Sequence, residues 1–133
     1  MWKPKKTVGQ MVEEAKTRIE NLSVEQLEAE IARGGVQVVD IRDVRERRKL
    51  GFIPGSTHVP RGMLEFWLDP TSHYYTGKID PTKRIVVYCA GGQRSALAAD
   101  AQPLKPTARC ATLGNPISRS TSAASAERWP PAQ

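Results

Sequence analysis

Residues 85–101 read IVVYCAGGQRSALAADA, and this stretch decides the fold. It opens with a short run of β-branched and aromatic residues, which is typical of a strand buried in a parallel sheet. It closes with the alanine-rich residues 95–101, which favour helix. Gly91 and Gly92 lie between the two, where a tight loop needs backbone conformations that side chains forbid. The sequence therefore predicts a strand, a loop and a helix, with Cys89 at the carboxyl end of the strand.

Cys89 has the predicted surroundings of a nucleophile. In open α/β sheets, ligands collect at the carboxyl ends of the strands, where the loop points its backbone N–H groups into one concavity. An anion there is stabilised by those amides, by the positive end of the following helix and by the charge of Arg94. The same field favours the thiolate form of Cys89, which is the nucleophilic form. The residues thus indicate an anion-binding loop around a reactive cysteine.

Three stretches together resemble a known family. The loop residues are Cys89, Ala90, Gly91, Gly92, Gln93, Arg94 and Ser95; residues 38–43 read VVDIRD, and residues 51–60 read GFIPGSTHVP. They resemble the active-site loop, the second strand and the Ile-Pro-Gly segment of rhodanese-like sulfurtransferases, in the family's order. The resemblance covers residues 20–101 and implies an α/β fold with a central, mainly parallel sheet flanked by helices.

The resemblance implies an activity. In this family the cysteine carries a persulfide inside a ring of amides, so Cys89 is expected to be catalytic and residues 90–95 to bind the substrate. The expected reaction moves a sulfane sulfur from a donor such as thiosulfate to cyanide or a thiol, and it needs no metal or organic cofactor. Arg94 is expected to bind the donor or the persulfide, unless its side chain is tied back to Asp40 or to a helix carboxylate.

Two other functions are alternatives to sulfur transfer. A non-catalytic module, in which the loop captures an anion or a partner without turnover, stays open. Phosphatase or arsenate reductase chemistry fails on the length of the ring, because four residues separate Cys89 from Arg94. In the cysteine-dependent phosphatases of this architecture, five residues separate the cysteine from the arginine, and the resulting ring of amides fits a tetrahedral phosphate.

Supporting roles are expected for residues outside the loop. By the resemblance, Asp40 and Arg42 lie near the floor of the site, and we expect them to hold the loop in shape by hydrogen bonds or an ion pair. His58 could act as a base toward Cys89. Transfer from a persulfide needs no base once the cysteine is a thiolate, so a packing or hydrogen-bonding histidine is expected.

Arg61 belongs to a segment that flanks the cysteine pocket in the family. With Phe66 and Trp67 it is a candidate for shaping that pocket.

Periodicity and capping signals predict the remaining elements. Ser23, followed three residues later by Gln26, is a capping box that opens a helix, and glycines at 34 and 35 end it. The other predicted elements are a helix over residues 7–19, a strand over 36–41, a short helix over 44–50 whose charges face water, a short helix over 60–67 and a surface loop over 69–81.

Composition limits the class of protein. A chain of 133 residues with 39% hydrophobic and 26% charged residues suits one globular domain. No apolar stretch is long enough to span a membrane and no signal-peptide core follows the start, so a cytoplasmic location is expected. Two cysteines, Cys89 and Cys110, provide neither a metal-ligand set nor a disulfide framework.

The net charge of +6 does not indicate a nucleic-acid site. Residues 1–102 contain 16 Lys and Arg against 13 Asp and Glu, and no base-stacking aromatics accompany the basic cluster at residues 45–49. The expected partners are a small sulfur donor and acceptor, the latter including a protein or low-molecular-weight thiol. Neither nucleic acid nor a membrane is expected, and the sequence does not predict an oligomeric state.

Residues 103–133 differ from the rest of the chain. Of these 31 residues, 18 are Ser, Thr, Ala or Pro and one is acidic, Glu127. Such a composition buries too little apolar surface to fold alone. The closing strand, glycine-rich segment and helix of the family cannot be matched here, so we predict a domain over residues 1–102 followed by an atypical tail. Two hypotheses for the tail are disorder and translation in the wrong frame of a GC-rich gene, which the coding DNA would distinguish.

Overall fold

A computed structural model describes residues 1–102 and the strand at residues 110–113. Its helices are α1 (Val8–Arg18), α2 (Val24–Arg33), α3 (Val44–Leu50), α4 (Leu64–Leu68) and α5 (Gln93–Ala101). Its strands are β1 (Glu20–Leu22), β2 (Val36–Asp40), β3 (Thr57–His58), β4 (Arg84–Tyr88) and β5 (Cys110–Leu113). A 3-10 turn at Arg61–Met63 leads directly into α4.

Within the described residues, these strands form a sheet in the order β1-β5-β4-β2-β3, and every neighbouring pair is parallel. Parallel strands point their carboxyl ends to one edge of the sheet, so the residues after β2, β3 and β4 gather there. The register places Asp40 of β2 opposite Tyr88 of β4 and His58 of β3. This edge carries the sequence-predicted loop, since Cys89 follows Tyr88 directly.

Alternate residues of the central strands point to opposite faces of the sheet, and both faces are covered. One face packs against α2 through Val38, Val86, Tyr88, Leu27 and Ile31. The other packs against α4 and α5 through Val39, Val87, Leu64, Ala98 and Ala99. Burial on both sides explains the near-continuous apolar runs in β2 and β4. The predicted fold class, a parallel sheet flanked by helices, is confirmed.

Residues next to the helix ends determine where α1 and α2 begin and where α2 ends. The predicted capping box at Ser23 and Gln26 is present, with the Gln26 N–H donating to the Ser23 hydroxyl. Gly34 ends α2 with a φ of 78°, a conformation that favours glycine. Thr7 and Gln10 form a second capping box at α1 that the sequence analysis did not identify. Helix α1 packs on α5 through Ala15 and Ala96.

The structure differs from two expectations about local elements. The residues between α1 and α2 form the short strand β1, which is not among the elements predicted from the sequence. Helix α3 occupies the predicted residues, but the expectation that its charges face water is wrong for Arg47 and Glu46. The Arg47 side chain is 15% exposed and bonds buried partners, and Glu46 pairs with Arg94. Composition shows that a helix is charged but not where each charge points.

Strand β5 extends the sheet beyond the expected boundary at residue 102. It lies between β1 and β4, with Leu113 opposite both Leu22 and Tyr88. A strand therefore lies within the tail, where the sequence predicted none. The hypotheses of disorder and of a wrong reading frame concern residues 103–133; apart from β5, these residues lie outside the described part of the chain. None of the described helices is long and apolar enough to cross a membrane.

Candidate active site

The loop after β4 buries the cysteine sulfur at the start of α5. Cys89 is only 1% exposed, and α5 begins four residues later at Gln93. Gly92 caps the helix with φ 82° and ψ −3°, in the left-handed region where glycine pays no steric penalty. This turn reverses the chain around the sulfur. The predicted succession of strand, loop and helix is therefore present.

Backbone amides donate to the sulfur. The Gly92 N–H lies 3.2 Å from Cys89 Sγ and the Ser95 N–H 3.4 Å from it. The neutral thiol donates to the buried Ser95 hydroxyl, whose oxygen is also 3.4 Å away. Donors aimed at one atom near a helix N-terminus stabilise negative charge on that atom. Of the other predicted loop residues, Ala90 is half-buried, whereas Gly91 and Gln93 are exposed at the mouth.

Arg94 is tied to a helix carboxylate, one of the two arrangements left open for it. Its Nη1 and Nη2 donate to the two carboxylate oxygens of Glu46 in α3, at 2.7 and 2.9 Å. The hydrogen bond that Arg94 donates to Glu46 is the main reason that the pKa of Arg94 is raised, with a smaller contribution from Cys89. Arg94 therefore connects the cysteine loop to α3, and Asp40 is not its ion-pair partner.

Asp40 and Arg42 form an ion pair beneath this edge of the sheet. Both side chains are fully buried, and Arg42 also donates to the Gly51 carbonyl at 2.7 Å. Burial by itself raises the pKa of Asp40, but the hydrogen bonds and charge of Arg42 outweigh it and lower that pKa overall. Their described contacts join β2 to the turn that follows α3.

Two further residues complete this buried cluster, and the sequence analysis missed both. Arg47 Nη1 lies 3.1 Å from Asp40 Oδ2, and the Tyr88 hydroxyl donates to the same oxygen at 3.0 Å. The hydroxyl also accepts from the Ile53 N–H at 3.1 Å. Burial, followed by the charge of Asp40, raises the pKa of Tyr88. One signal was available, because a tyrosine that ends a buried aliphatic strand needs a hydrogen-bond partner.

His58 and Arg61 bond to groups other than the sulfur. His58 Nε2 lies 2.7 Å from the Arg42 carbonyl oxygen, which can only accept, so the ring donates from Nε2. Arg61 donates to Glu65 at 2.8 Å. His58 therefore fixes the backbone that follows β2 by a hydrogen bond. Arg61 lies in the 3-10 turn that leads into α4 and pairs with a residue of that helix.

The two aromatic candidates lie in different surroundings. Trp67 packs against the buried cluster that includes Cys89. Phe66 is exposed and contacts Tyr74 edge-on, with 5.7 Å between ring centroids. In the part of the chain that the structure describes, no group of three His, Cys, Asp or Glu side chains could hold a metal ion.

The chain matches a known domain family over most of its length. The family model for the rhodanese-like domain matches residues 23–117. A solved protein of unknown function from Rhodopseudomonas palustris, described as a possible tyrosine phosphatase, is 39% identical with a TM-score of 0.79. The alignment covers 90% of this chain and 92% of that one.

Two further solved structures are similar. A thiosulfate sulfurtransferase from Pseudomonas aeruginosa is 27% identical with a TM-score of 0.62, over 80% of this chain and 19% of that one. A rhodanese-related protein from Thermoplasma volcanium, at 23% identity and a TM-score of 0.58, covers 75% of this chain and 88% of its own and shows the fold alone. No curated protein matches the chain significantly.

Proposed function

Because the chain belongs to the rhodanese-like domain family, we propose that it is a thiosulfate sulfurtransferase that carries the transferred sulfur as a persulfide on Cys89. The sulfur comes from a donor such as thiosulfate and passes to a thiophilic acceptor, cyanide or a thiol. The observation that carries the proposal is the pair of backbone N–H groups, from Gly92 and Ser95, that donate to Cys89 Sγ.

The first half-reaction forms the persulfide. The thiolate of Cys89 attacks the outer sulfur of thiosulfate, and a bond forms between Sγ and that sulfur. The sulfur–sulfur bond of thiosulfate breaks at the same time, and sulfite leaves with its electron pair. The charge on the new terminal sulfur lies at the mouth of the loop, where the amide dipoles and the α5 N-terminus stabilise it.

The second half-reaction restores the enzyme. A nucleophile such as cyanide attacks the terminal sulfur of the persulfide, the Cys89–sulfur bond breaks, and thiocyanate leaves. The bonding electrons return to Cys89 as thiolate. No proton has to be removed by a base in either step, which agrees with the hydrogen bonding of His58 to a backbone carbonyl instead of the sulfur.

Phosphatase chemistry is the alternative raised by the description of the R. palustris protein. Two features of this chain favour sulfur transfer. The ring between Cys89 and Arg94 contains four residues, which suits a single sulfur atom better than a tetrahedral phosphate. In addition, both Nη groups of Arg94 already bond Glu46, whose carboxylate offsets the charge that the guanidinium could offer to a phosphoryl group.

The test is thiocyanate formation from thiosulfate and cyanide by the purified protein beside Cys89→Ser. Intact mass after thiosulfate alone should show one added sulfur atom in the wild type and none in the variant. A folded protein that neither acquires sulfur nor forms thiocyanate would overturn the proposal. Anion binding without turnover would then support the non-catalytic module, and hydrolysis of an aryl phosphate would support the phosphatase.

A further inference from the structure

We propose that Glu46 is a specificity-determining residue of the sulfur-donor site, which disfavours doubly charged donors by holding Arg94 in an ion pair. This inference rests on the proposed sulfurtransferase function. A donor with two negative charges gains less from the Arg94 guanidinium, because the carboxylate of Glu46 offsets its charge and repels the donor. A donor with one charge, such as the persulfide of a small thiol, can place its sulfur against the loop amides and leave the pair intact.

The geometry of the pair carries this argument. Both carboxylate oxygens of Glu46 accept from Arg94, at 2.7 and 2.9 Å, so the planar fork of the guanidinium is matched to a carboxylate. An anionic donor group that approaches Arg94 finds its positive charge already offset by this carboxylate, and the N–H groups that do not face Glu46 remain for it. Glu46 belongs to α3 and Arg94 to the start of α5, so the contact is made only by the tertiary fold.

The pair is accessible and can open. The Arg94 side chain is 43% exposed and that of Glu46 31%. Exposed ion pairs of this kind contribute little free energy, because water screens them and two long side chains must be held in one geometry. Glu46 therefore adjusts the affinity for a charged donor without closing the site to it.

Other arginines at this end of the sheet are also paired. Arg42 and Arg47 bond Asp40, and Arg61 bonds Glu65. Arg42 and Arg47 share the single carboxylate of Asp40, whereas Arg94 pairs with Glu46 and interacts with Cys89. Glu46 therefore sets how much of the Arg94 charge is available to a donor at the cysteine. A carboxylate at this position thus has more influence on donor choice than its share of the net charge suggests.

Equilibrium binding tests the inference independently of turnover. Thiosulfate binding is measured by calorimetry on Cys89→Ser, alone and combined with Glu46→Gln or with Asp43→Asn. Asp43 is the matched control: it lies in the same segment and pairs with exposed Arg45 at 3.0 Å, and asparagine still caps a helix. Thermal unfolding checks that each variant is folded.

The expected result is selective. Glu46→Gln should lower the Kd for thiosulfate by about two- to fivefold, the size of an exposed ion pair, and Asp43→Asn should leave it unchanged. Unchanged or weaker binding in Glu46→Gln would overturn the inference. An equal gain in both variants would also overturn it, because net charge alone would explain the result.

Turnover supplies the second measurement. In protein with Cys89 intact, Glu46→Gln should lower KM for thiosulfate by the same factor and leave KM for the persulfide of a small neutral thiol unchanged. A uniform change in both KM values would contradict a role in specificity. If no variant acquires sulfur while the calorimetry shows the selective gain, the sulfurtransferase proposal fails and the donor site is an anion site under the control of Glu46.

Discussion

Arg42 binds Asp40 through two parallel hydrogen bonds inside the protein, Nε to Oδ1 at 3.0 Å and Nη2 to Oδ2 at 2.8 Å. The two residues are separated by one position at the end of β2, and neither side chain is exposed. Tyr88, which precedes the cysteine, donates to the same carboxylate. The ion pair therefore supports the edge of the sheet from which the cysteine loop begins.

Replacing Asp40 by asparagine should destabilise the fold strongly. The substitution leaves the buried guanidinium of Arg42 without its counter-charge, and breaking a buried ion pair from one side costs about 3–5 kcal/mol. Urea unfolding of the wild type and of Asp40→Asn measures the loss. Asp43→Asn, at an exposed pair, should cost less than about 1 kcal/mol. Equal losses in the two variants would contradict a special role for the buried pair.

The stability from Asp40 should depend on pH in one direction. The pKa of Asp40 in the folded protein lies below its ordinary value of 3.8, because Arg42 outweighs the effect of burial. Its contribution is therefore complete above that ordinary value and is lost as the pH falls through the lower pKa of the folded state. The difference in unfolding free energy between the wild type and Asp40→Asn should shrink in acid. A difference that grows in acid would show the opposite shift.

The two loop glycines should respond differently to alanine. Gly92 has a φ of 82°, so Gly92→Ala should cost about 1–2 kcal/mol and turn its N–H away from the sulfur. Gly91 does not have a positive φ, and a Cβ there would meet no atom within 4 Å. Gly91→Ala should therefore leave stability and sulfur acquisition nearly unchanged. Thermal unfolding and intact mass after treatment with thiosulfate compare the two variants. A larger loss of stability in Gly91→Ala than in Gly92→Ala would contradict the turn assigned to these residues.

Removing the Ser95 hydroxyl should slow sulfur transfer without abolishing it. When Cys89 is a thiolate it can only accept, so the Ser95 hydroxyl, 3.4 Å away, then donates to the sulfur; Ser95→Ala deletes this donor but keeps the backbone N–H at 3.4 Å. A single hydrogen bond of this kind is worth about 1 kcal/mol, or about a fivefold change in rate. Steady-state thiocyanate formation measures it, with Ser72→Ala in an exposed loop as the control. Unaltered kcat in Ser95→Ala would show that the hydroxyl does not act on the sulfur.

Much of the fold could be predicted because its signals are local. The apolar run before Cys89, the glycines after it and the alanine-rich segment specify strand, loop and helix from neighbours in the sequence. The capping box at Ser23 works in the same way, since its hydrogen bonds join residues three positions apart. The short strand β1 was not predicted, because it has three residues and is defined by its pairing with residues of β5 that lie 91 positions later in the chain.

The partners of two charged side chains in α3, Arg47 and Glu46, could not be predicted. Arg47 belongs to a run of charges that reads as a solvated helix face, yet it bonds Asp40 and Ser56. Glu46 precedes it and finds Arg94, 48 residues away. Both contacts depend on how α3 lies against the carboxyl edge of the sheet, and a helix seven residues long has too little pattern to reveal its orientation.

The residue pattern is sufficient to predict that a cysteine follows a buried strand and is held by a glycine loop at the start of a helix, because those features depend on backbone conformation and local apolar pattern. The pairing of Arg94 with Glu46 and of Arg47 with Asp40 depends on the tertiary fold. These ion pairs join side chains from different elements, and their distances are fixed only when the sheet aligns the ends of β2 and β4 and sets α3 beside α5. The cysteine loop can therefore be predicted from the sequence, whereas the ion pairs of the charged side chains around it depend on the tertiary fold.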